Sequence, residues 1–573
     1  MSSRIAACVL VLLGLLATAP CRAQSPASDG GHDETFVGTT EPMAEHAVYF
    51  VVTDRFVNGD PGNDQRDQGR DKGPEFATFD RPTPGAEAEQ DNVGYLGGDF
   101  KGVLDNAGYI RDMGFGAVWI TPIVDNPDEA FTGGSPVVKG GLWTDGGKTG
   151  YHGYWGVNFH QLDEHLPSPG LDFRAFSAGM REHGLKVVLD IVANHGSPAF
   201  GMPVDQPKFG ELYDAAGRLV ADHQNLPRER LDPAGNPLHA LYNTGEGIAQ
   251  LSDLADANPA LLEYMVDAYT HWIDEGADAF RIDTIGWMPH AFWKSFADRV
   301  RAHRPGFFMF AEAFSYDAAE IATHTRPENG GYSVLDFPLK AAMERAFGRE
   351  RAGYQVLRRP LYLDGGPYRN PYTLMTMYDN HDMPRLDADD TGFIDAHHFL
   401  FTARGTPVIY YGSEVGFMRG TAEHAGNRNY FGQARVDAAP ASPIHAALRR
   451  IARVRAATPA LQRGLQVNLR LRGDQAVFYR VLQLEGQAQT ALVLLNKGDA
   501  AAELSVRKYL QPGIWRSALD GRTVEVQAGK PLVTSVPAHG VEVWVLDVPV
   551  TDAGLRNALR RAQAAVEEDM ERP

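Results

Sequence analysis

Cysteine is nearly absent from this sequence: its 573 residues hold two, Cys8 and Cys21. Both lie in the opening stretch MSSRIAACVLVLLGLLATAPCRAQ. There a short cationic end (Arg4), an apolar run of about a dozen residues and a small residue before a polar one form the layout of a cleaved export signal. Cleavage is expected after Ala23, making residues 1–23 a signal peptide and the mature chain periplasmic or extracellular. Such a chain carries no disulfide even in an oxidising compartment. Pro20, directly before Cys21, fits poorly with the small residue that an acylated cysteine requires. No later apolar run approaches the roughly twenty residues that span a bilayer. Positive charge is also in short supply, 54 Lys and Arg against 73 Asp and Glu, for a net charge of −19. With no basic stripe to oppose it, that charge repels phosphate backbones and anionic lipid, which excludes nucleic acid and membrane insertion as partners.

The length exceeds what one hydrophobic core serves, so several domains are expected. After a polar leader (24–41, expected to be flexible), short β-branched or aromatic runs alternate with helical patterns: AVYFVVTD, GAVWITP, LKVVLDIVAN, ADAFRID, GFFMFAEAF, YTLMTMYDN and TPVIYYGSE. Strands alternating with helices predict parallel β/α units, here an α/β fold of the (β/α)8 TIM-barrel kind over 42–194 and 258–460. The remaining strand is weak and falls near Tyr332–Asp336. Residues 195–257 are long and irregular for a barrel loop and read as an excursion domain after the third strand. From about Gly464 the pattern turns to strands without helices (VNLRLRG, AVFYRVLQL, TALVLLNK, VEVWVLDV), predicting a C-terminal antiparallel β-sandwich over 464–549. The tail, 550–573, reads as a charged helix in solvent, and a monomer is expected.

Polar residues stand at the C-terminal ends of four of the strands: Asp190 with Asn194 and His195, Arg281 with Asp283, Glu312, and His381 with Asp382. In a barrel these ends form the mouth where chemistry is built, whereas a lone charge there is more often a structural ion pair. Residues two apart on a strand face the same side, so Arg281 and Asp283 sit together, and the cation favours the ionised carboxylate that a nucleophile needs. Glu312 follows FFMF, and an apolar setting shared with other carboxylates favours its protonated form. One carboxylate kept charged and one kept protonated divide the work of glycosidic cleavage with retention, for which they stand roughly 5–5.5 Å apart.

With these residues in view the chain resembles the α-amylase family of glycoside hydrolases, near its branch of bacterial α-amylases and cyclodextrin glucanotransferases. DIVANH (Asp190–His195), LSDLAD (Leu251–Asp256), FRID (Phe280–Asp283), AEAF (Ala311–Phe314) and YDNHD (Tyr378–Asp382) match the family's ordered motifs, and YHGYW (Tyr151–Trp155) and GTPVIYYGSE (Gly405–Glu414) add to them. The resemblance implies a retaining enzyme acting on α-1,4-glucans or maltooligosaccharides through a covalent glycosyl-enzyme intermediate. It makes Asp283 the nucleophile, Glu312 the general acid/base and Asp382 the third carboxylate. It places Arg281, His195 and His381 around the same sugar, with Tyr154 stacked on the sugar's face.

NGDPGND (Asn58–Asp64) offers side-chain oxygens at Asn58, Asp60, Asn63 and Asp64 in a flexible turn, a donor set that suits Ca2+, although alone it also reads as a surface turn. The resemblance favours calcium, completed by Gly97, Gly98 and Asp99, and implies a second calcium at Asn194 and Asp253. Two departures bear on subtype. Gly286 and Trp287 replace a common Lys-His pair, exchanging polar contacts on the acceptor side for stacking. Ala249 stands where cyclising enzymes carry a bulky aromatic, which favours hydrolysis over cyclisation. Phe314, an aromatic just after the acid, points toward transfer instead, so a glucanotransferase is the alternative. A non-catalytic binding protein on the same barrel, which would be expected to have lost carboxylates, is a remote one.

Overall fold

In the computed structural model the described residues are 34–83, 92–138, 144–421, 427–484 and 486–571. The expected signal and most of the leader fall outside them. Eight parallel strands form one sheet: β1 Val48–Val51, β2 Ala117–Ile120, β3 Lys186–Ile191, β4 Ala279–Ile282, β5 Phe308–Ala311, β6 Ser333–Val334, β7 Met375–Thr376 and β8 Thr406–Tyr410. Their order, β6-β5-β4-β3-β2-β1-β8-β7, is that of a ring, and a bridge from Leu335 to Met375 joins its ends. These strands are buried almost throughout, which is why they read as continuous apolar runs rather than as alternation. Strand β6 escapes that signal because only two of its residues pair. The buried Asp336 holds it from behind: its amide donates to Met375 O at 2.9 Å, and its carboxylate accepts from the buried guanidinium of Arg404 in a 2.6 Å ion pair. The barrel interior is filled, with the ring of Phe50 stacked on Trp119 at 3.8 Å and tilted against Tyr410 at 5.2 Å.

Between β3 and β4 the excursion opens with His195–Pro198 paired antiparallel to Leu251–Asp253, and encloses the hairpin Glu211–Tyr213/Leu219–Asp222. The chain re-enters the barrel through the helix Pro259–Glu275, which begins at the cap Asn258 with proline as its first residue and ends at Gly276 (φ 128°). The C-terminal region has two antiparallel sheets. One is β9-β10-β11-β16-β13-β14 (β9 Leu465–Arg472, β10 Gln475–Leu484, β11 Gln487–Asn496, β13 Gly513–Ser517, β14 Thr523–Val526, β16 Gly540–Leu546). The other pairs β12 Ala502–Val506 with β15 Leu532–Val536. Tyr479, Leu492, Leu504, Trp515 and Val536 fill the space between them. Buried Arg480 on β10 fastens this sandwich to the barrel by donating to the carbonyls of Thr402, Ala403 and Gly464.

Two expectations need correcting. The tail helix Ala553–Glu571 is not a solvated appendage: Leu555, Leu559 and Val566 are buried in the sandwich core. Its many charges mask a sparse apolar stripe that suffices for docking. The leader is likewise tied down before residue 41. Phe36 is buried in the same core and exchanges two backbone hydrogen bonds with Gln483, at 2.9 and 2.8 Å.

Candidate active site

The register of β3 against β4 sets Arg281 beside Asp190, and the strand period sets Arg281 and Asp283 on one side. The fully buried guanidinium therefore becomes the hub of the mouth. Its Nη1 lies 2.9 Å from Asp190 Oδ1 and 2.8 Å from Asp283 Oδ1, while Nη2 is 2.8 Å from Glu312 Oε2 and 3.9 Å from Asp382 Oδ2. Asp283, Glu312 and Asp382 each offer an oxygen, and the three lie within 4.8 Å of one another. Such a trio is also a metal-ligand geometry. Here a guanidinium already supplies the positive charge, which leaves a divalent ion repelled as well as attracted.

Burial first, then the charges of Asp382, Asp283 and Asp190, push the Glu312 carboxyl well above its usual range, and Arg281 only partly opposes them. Glu312 Oε1 is buried and has no hydrogen-bond partner among the described residues. A protonated carboxyl with one uncommitted oxygen suits delivery of a proton. Asp190, buried among Arg281, Tyr154 and Trp119, is raised to about 7 by desolvation against the pull of Arg281.

Around the trio stand the other expected sugar contacts. Tyr154 Oη donates to Asp190 Oδ2 at 2.8 Å and lies 2.8 Å from His381 Nε2, and the two rings are nearly parallel. His381 Nε2 is 3.1 Å from Asp382 Oδ2, and burial, together with Arg428 and Arg281, holds the imidazole well below its usual range and thus neutral. His195 is buried beside Asn194 (3.3 Å), and desolvation lowers it too. Asp382 is aimed by its neighbour: Asn380 Oδ1 accepts the Asp382 amide at 2.9 Å.

Sequence reading gave no role to Asp190 beyond its place at a strand end, and missed Trp119, Asn427 and Arg428 altogether. The last two come from the segment after β8 and hold the segment after β7. Asn427 Nδ2 donates to His381 O (2.9 Å) and Met383 O (2.6 Å), and Arg428 donates to His381 O and to Asp382 Oδ1. Asparagine and arginine in the irregular segment after β8 carry no periodicity to flag them; the charge of Arg428 was the only signal there.

On the other flank, Thr284 takes the left-handed conformation (φ 48°), rare for a β-branched residue, as the chain leaves β4. The short turn Ile285–Trp287 follows, and the indole stands 60 % exposed. Phe314, two residues beyond Glu312, is 57 % exposed. Phe314 rests one side on the buried ring of Phe337 (centroids 5.2 Å) and leaves the rest open.

Of the expected calcium donors, Asn63, Asp64 and Asp99 are buried, and Asn58 Oδ1 and Asn63 Oδ1 have no hydrogen-bond partner among the described residues. Asn58 Nδ2 donates to Asp64 Oδ1 (2.7 Å), Asp60 Oδ1 accepts from Gly62 N, and Asp99 accepts the amides of Gly59, Asp60 and Gly102. Gly97 (φ 87°) lies so close to Asn58 and Asp64 that a Cβ would meet each at 2.3 Å. At the second expected set, Leu254 N donates to Asn194 O, and Asp253 Oδ2 accepts from Asn243. Arg228 there spans the carbonyls of Ile248, Ala249 and Leu251.

The α-amylase catalytic-domain model matches residues 50–209 and 239–442, so the chain belongs to the α-amylase family. Among curated relatives, the cyclomaltodextrin glucanotransferase of Niallia circulans is 27 % identical over 532 residues, covering 89 % of this chain and 68 % of the relative. That of Bacillus licheniformis is 29 % identical, covering 66 % of this chain and 50 % of the relative. Among solved structures, a cyclomaltodextrin glucanotransferase with a three-domain ABC distribution superposes with TM-score 0.71 at 29 % identity, covering 88 % of this chain and 99 % of that one. The α-amylase of Geobacillus thermoleovorans complexed with acarbose follows with TM-score 0.65 at 26 % identity, covering 88 % and 99 %. No helix among the described residues is long and apolar enough to cross a membrane.

Proposed function

We propose that the chain is a retaining glycoside hydrolase that cleaves α-1,4-glucosidic bonds of starch-like glucans or maltooligosaccharides. The observation that carries this reading is the carboxylate trio gathered around the Arg281 guanidinium. Asp283 attacks the anomeric carbon of the sugar while Glu312 gives its proton to the departing oxygen, so that the bond to Asp283 forms as the glycosidic bond breaks. The departing chain leaves Glu312 deprotonated. It then takes a proton from the incoming water, whose oxygen displaces Asp283 with a second inversion and returns the α configuration. Asp382, oriented by His381, Asn380 and Arg428, holds hydroxyls of the distorting ring. Tyr154 and His195 bound the same sugar, and Arg281 balances the charges through both steps.

Glucanyl transfer is the second reading, and a specific observation favours it. Trp287 and Phe314 present apolar surface where the acceptor arrives, a place where a sugar competes well with water. Cyclisation has less support, since the position where cyclising enzymes carry a bulky aromatic holds Ala249.

In the same reading Asn58, Asp60, Asn63, Asp64, Gly97 and Asp99 would hold Ca2+, the two orphaned amide oxygens being the fit. Bound there, the ion would tie the turn to the start of helix Phe100–Asp105 and take no part in the chemistry. The Asn194–Asp253 set, with part of its donors already spent, is the weaker binder. Export by residues 1–23 completes the proposal. The test is digestion of maltoheptaose with and without an added acceptor sugar, followed by product sizing and anomeric analysis. New α-anomeric ends are expected, whereas β-anomeric products or an inert mixture would overturn the reading.

A further inference from the structure

Among the described residues three large aromatic side chains are exposed: Trp287, Phe314 and Tyr316. The other large apolar residues left open to solvent are aliphatic and scattered, as single exposed apolar residues ordinarily are. The three aromatics are not scattered, for all stand on the segments that leave β4 and β5, the strands carrying Asp283 and Glu312. Tyr316 has no part in the mechanism described above.

Its ring is 49 % exposed, with its other side edge-on to Phe314 (centroids 6.4 Å apart, 76°) and to Phe337 (6.1 Å, 79°). Phe337 is buried and opens the helix Phe337–Phe347, whose cap Asp336 is the partner of buried Arg404. The segment bearing Tyr316 is pinned as well. Ser315 Oγ donates to Glu320 Oε2 (2.7 Å) and accepts from the Asp317 amide (3.1 Å), and Asp317 caps the helix Ala318–Ala322. A ring mounted this firmly loses little freedom when something lies on it. An aromatic face with a polar tip matches a pyranose, which offers C–H groups on its face and hydroxyls at its edge.

We propose that Tyr316 is a specificity-determining residue on the acceptor side. It extends the aromatic surface of Phe314 and carries a glucose unit of the α-1,4-linked leaving or acceptor chain beyond the unit next to Glu312. The inference rests on the α-glucan reading of the site.

The test compares kcat/KM for maltoheptaose, whose leaving portion is a sugar chain, with that for an aryl maltotrioside, whose leaving group is one ring. For Tyr316→Ala the ratio of the first to the second should fall about three- to tenfold, chiefly through KM, and Tyr316→Phe should stay within about twofold of the parent. Tyr316→Leu, which keeps bulk without the π face, should lose as much of the ratio as Tyr316→Ala, separating stacking from packing. A ratio unchanged in Tyr316→Ala and Tyr316→Leu, or activities that fall equally on both substrates, overturns the proposal. A parent enzyme inert toward maltoheptaose would instead remove the α-glucan reading itself, so the two failures are distinct.

Discussion

The two flanks of the cleft are built on opposite principles. On one side Tyr154, Arg281 and His381 are buried and bonded to one another or to carboxylates, His195 is buried against Asn194, and all are fixed before any sugar arrives. On the other, Trp287, Phe314 and Tyr316 are open to solvent and present rings. Buried polar groups that are already paired reject a ligand that cannot replace their bonds, which suits recognition of one sugar in one distorted shape. Exposed rings accept any pyranose of suitable face, so they select a sugar chain over water or a small leaving group rather than one sugar over another. In the proposed reading the chemistry belongs to the polar flank and the partition between water and sugar to the aromatic one.

Substitutions on the polar flank should be the more severe. Asp283→Asn keeps volume and removes the nucleophile, so kcat should fall by about 10^4-fold or more with the melting temperature near that of the parent. Steady-state rates within tenfold of parental would break the assignment. Glu312→Gln should cost about 10^2- to 10^4-fold on maltooligosaccharides and far less on aryl glycosides with good leaving groups, because only the former need the proton. Equal losses on the two would deny Glu312 that role. The raised carboxyl also fixes a sign. Activity should persist upward in pH until Glu312 deprotonates and then fall, and that alkaline limb should disappear in Glu312→Gln.

Removal of the proposed calcium should have an intermediate effect. Chelation should lower the melting temperature and added Ca2+ restore it, the stabilisation at a hundredfold excess over Kd being about 2.7 kcal/mol. Thermal scans identical with and without chelator, on protein lacking calcium by elemental analysis, would remove both sites. The smallest effect belongs to the aromatic flank. Stacking of this kind contributes about 0.5–1.5 kcal/mol, so Trp287→His should reduce the ratio of transfer to hydrolysis several-fold, to about tenfold at most. A destabilised variant with parental products would show Trp287 to be packing only.

Much of the polar flank was legible because its residues obey strand arithmetic. Arg281 and Asp283 are two apart and Glu312 directly follows β5, so period and position bring them to one mouth. His381-Asp382, by contrast, lie beyond the end of β7 at Thr376 and are set by the loop that follows it. Asp190 was seen at its strand end, but its pairing with Arg281 depends on the register between β3 and β4, which no local pattern states. Arg428 and Asn427 reach the site from another loop and leave no trace in spacing. Trp287 stands exposed, as the stacking expected of it needs, but the left-handed Thr284 that precedes its turn is a conformation that a β-branched residue gives no reason to expect. The leader and the tail were misjudged for a common reason: Phe36 in one, and Leu555, Leu559 and Val566 in the other, are few among many polar neighbours, yet a core needs only that many to hold a segment.

The central claim is that the sugar is carried on Asp283. It is tested most directly by trapping the intermediate with a fluorinated maltosyl fluoride that forms it quickly and releases it slowly, using the Glu312→Gln variant to slow release further, and locating the adduct by peptide mass spectrometry. One glycosyl unit on the peptide containing Asp283 is the result expected. An adduct on any other residue, or none while the parent enzyme turns the same reagent over, would contradict it.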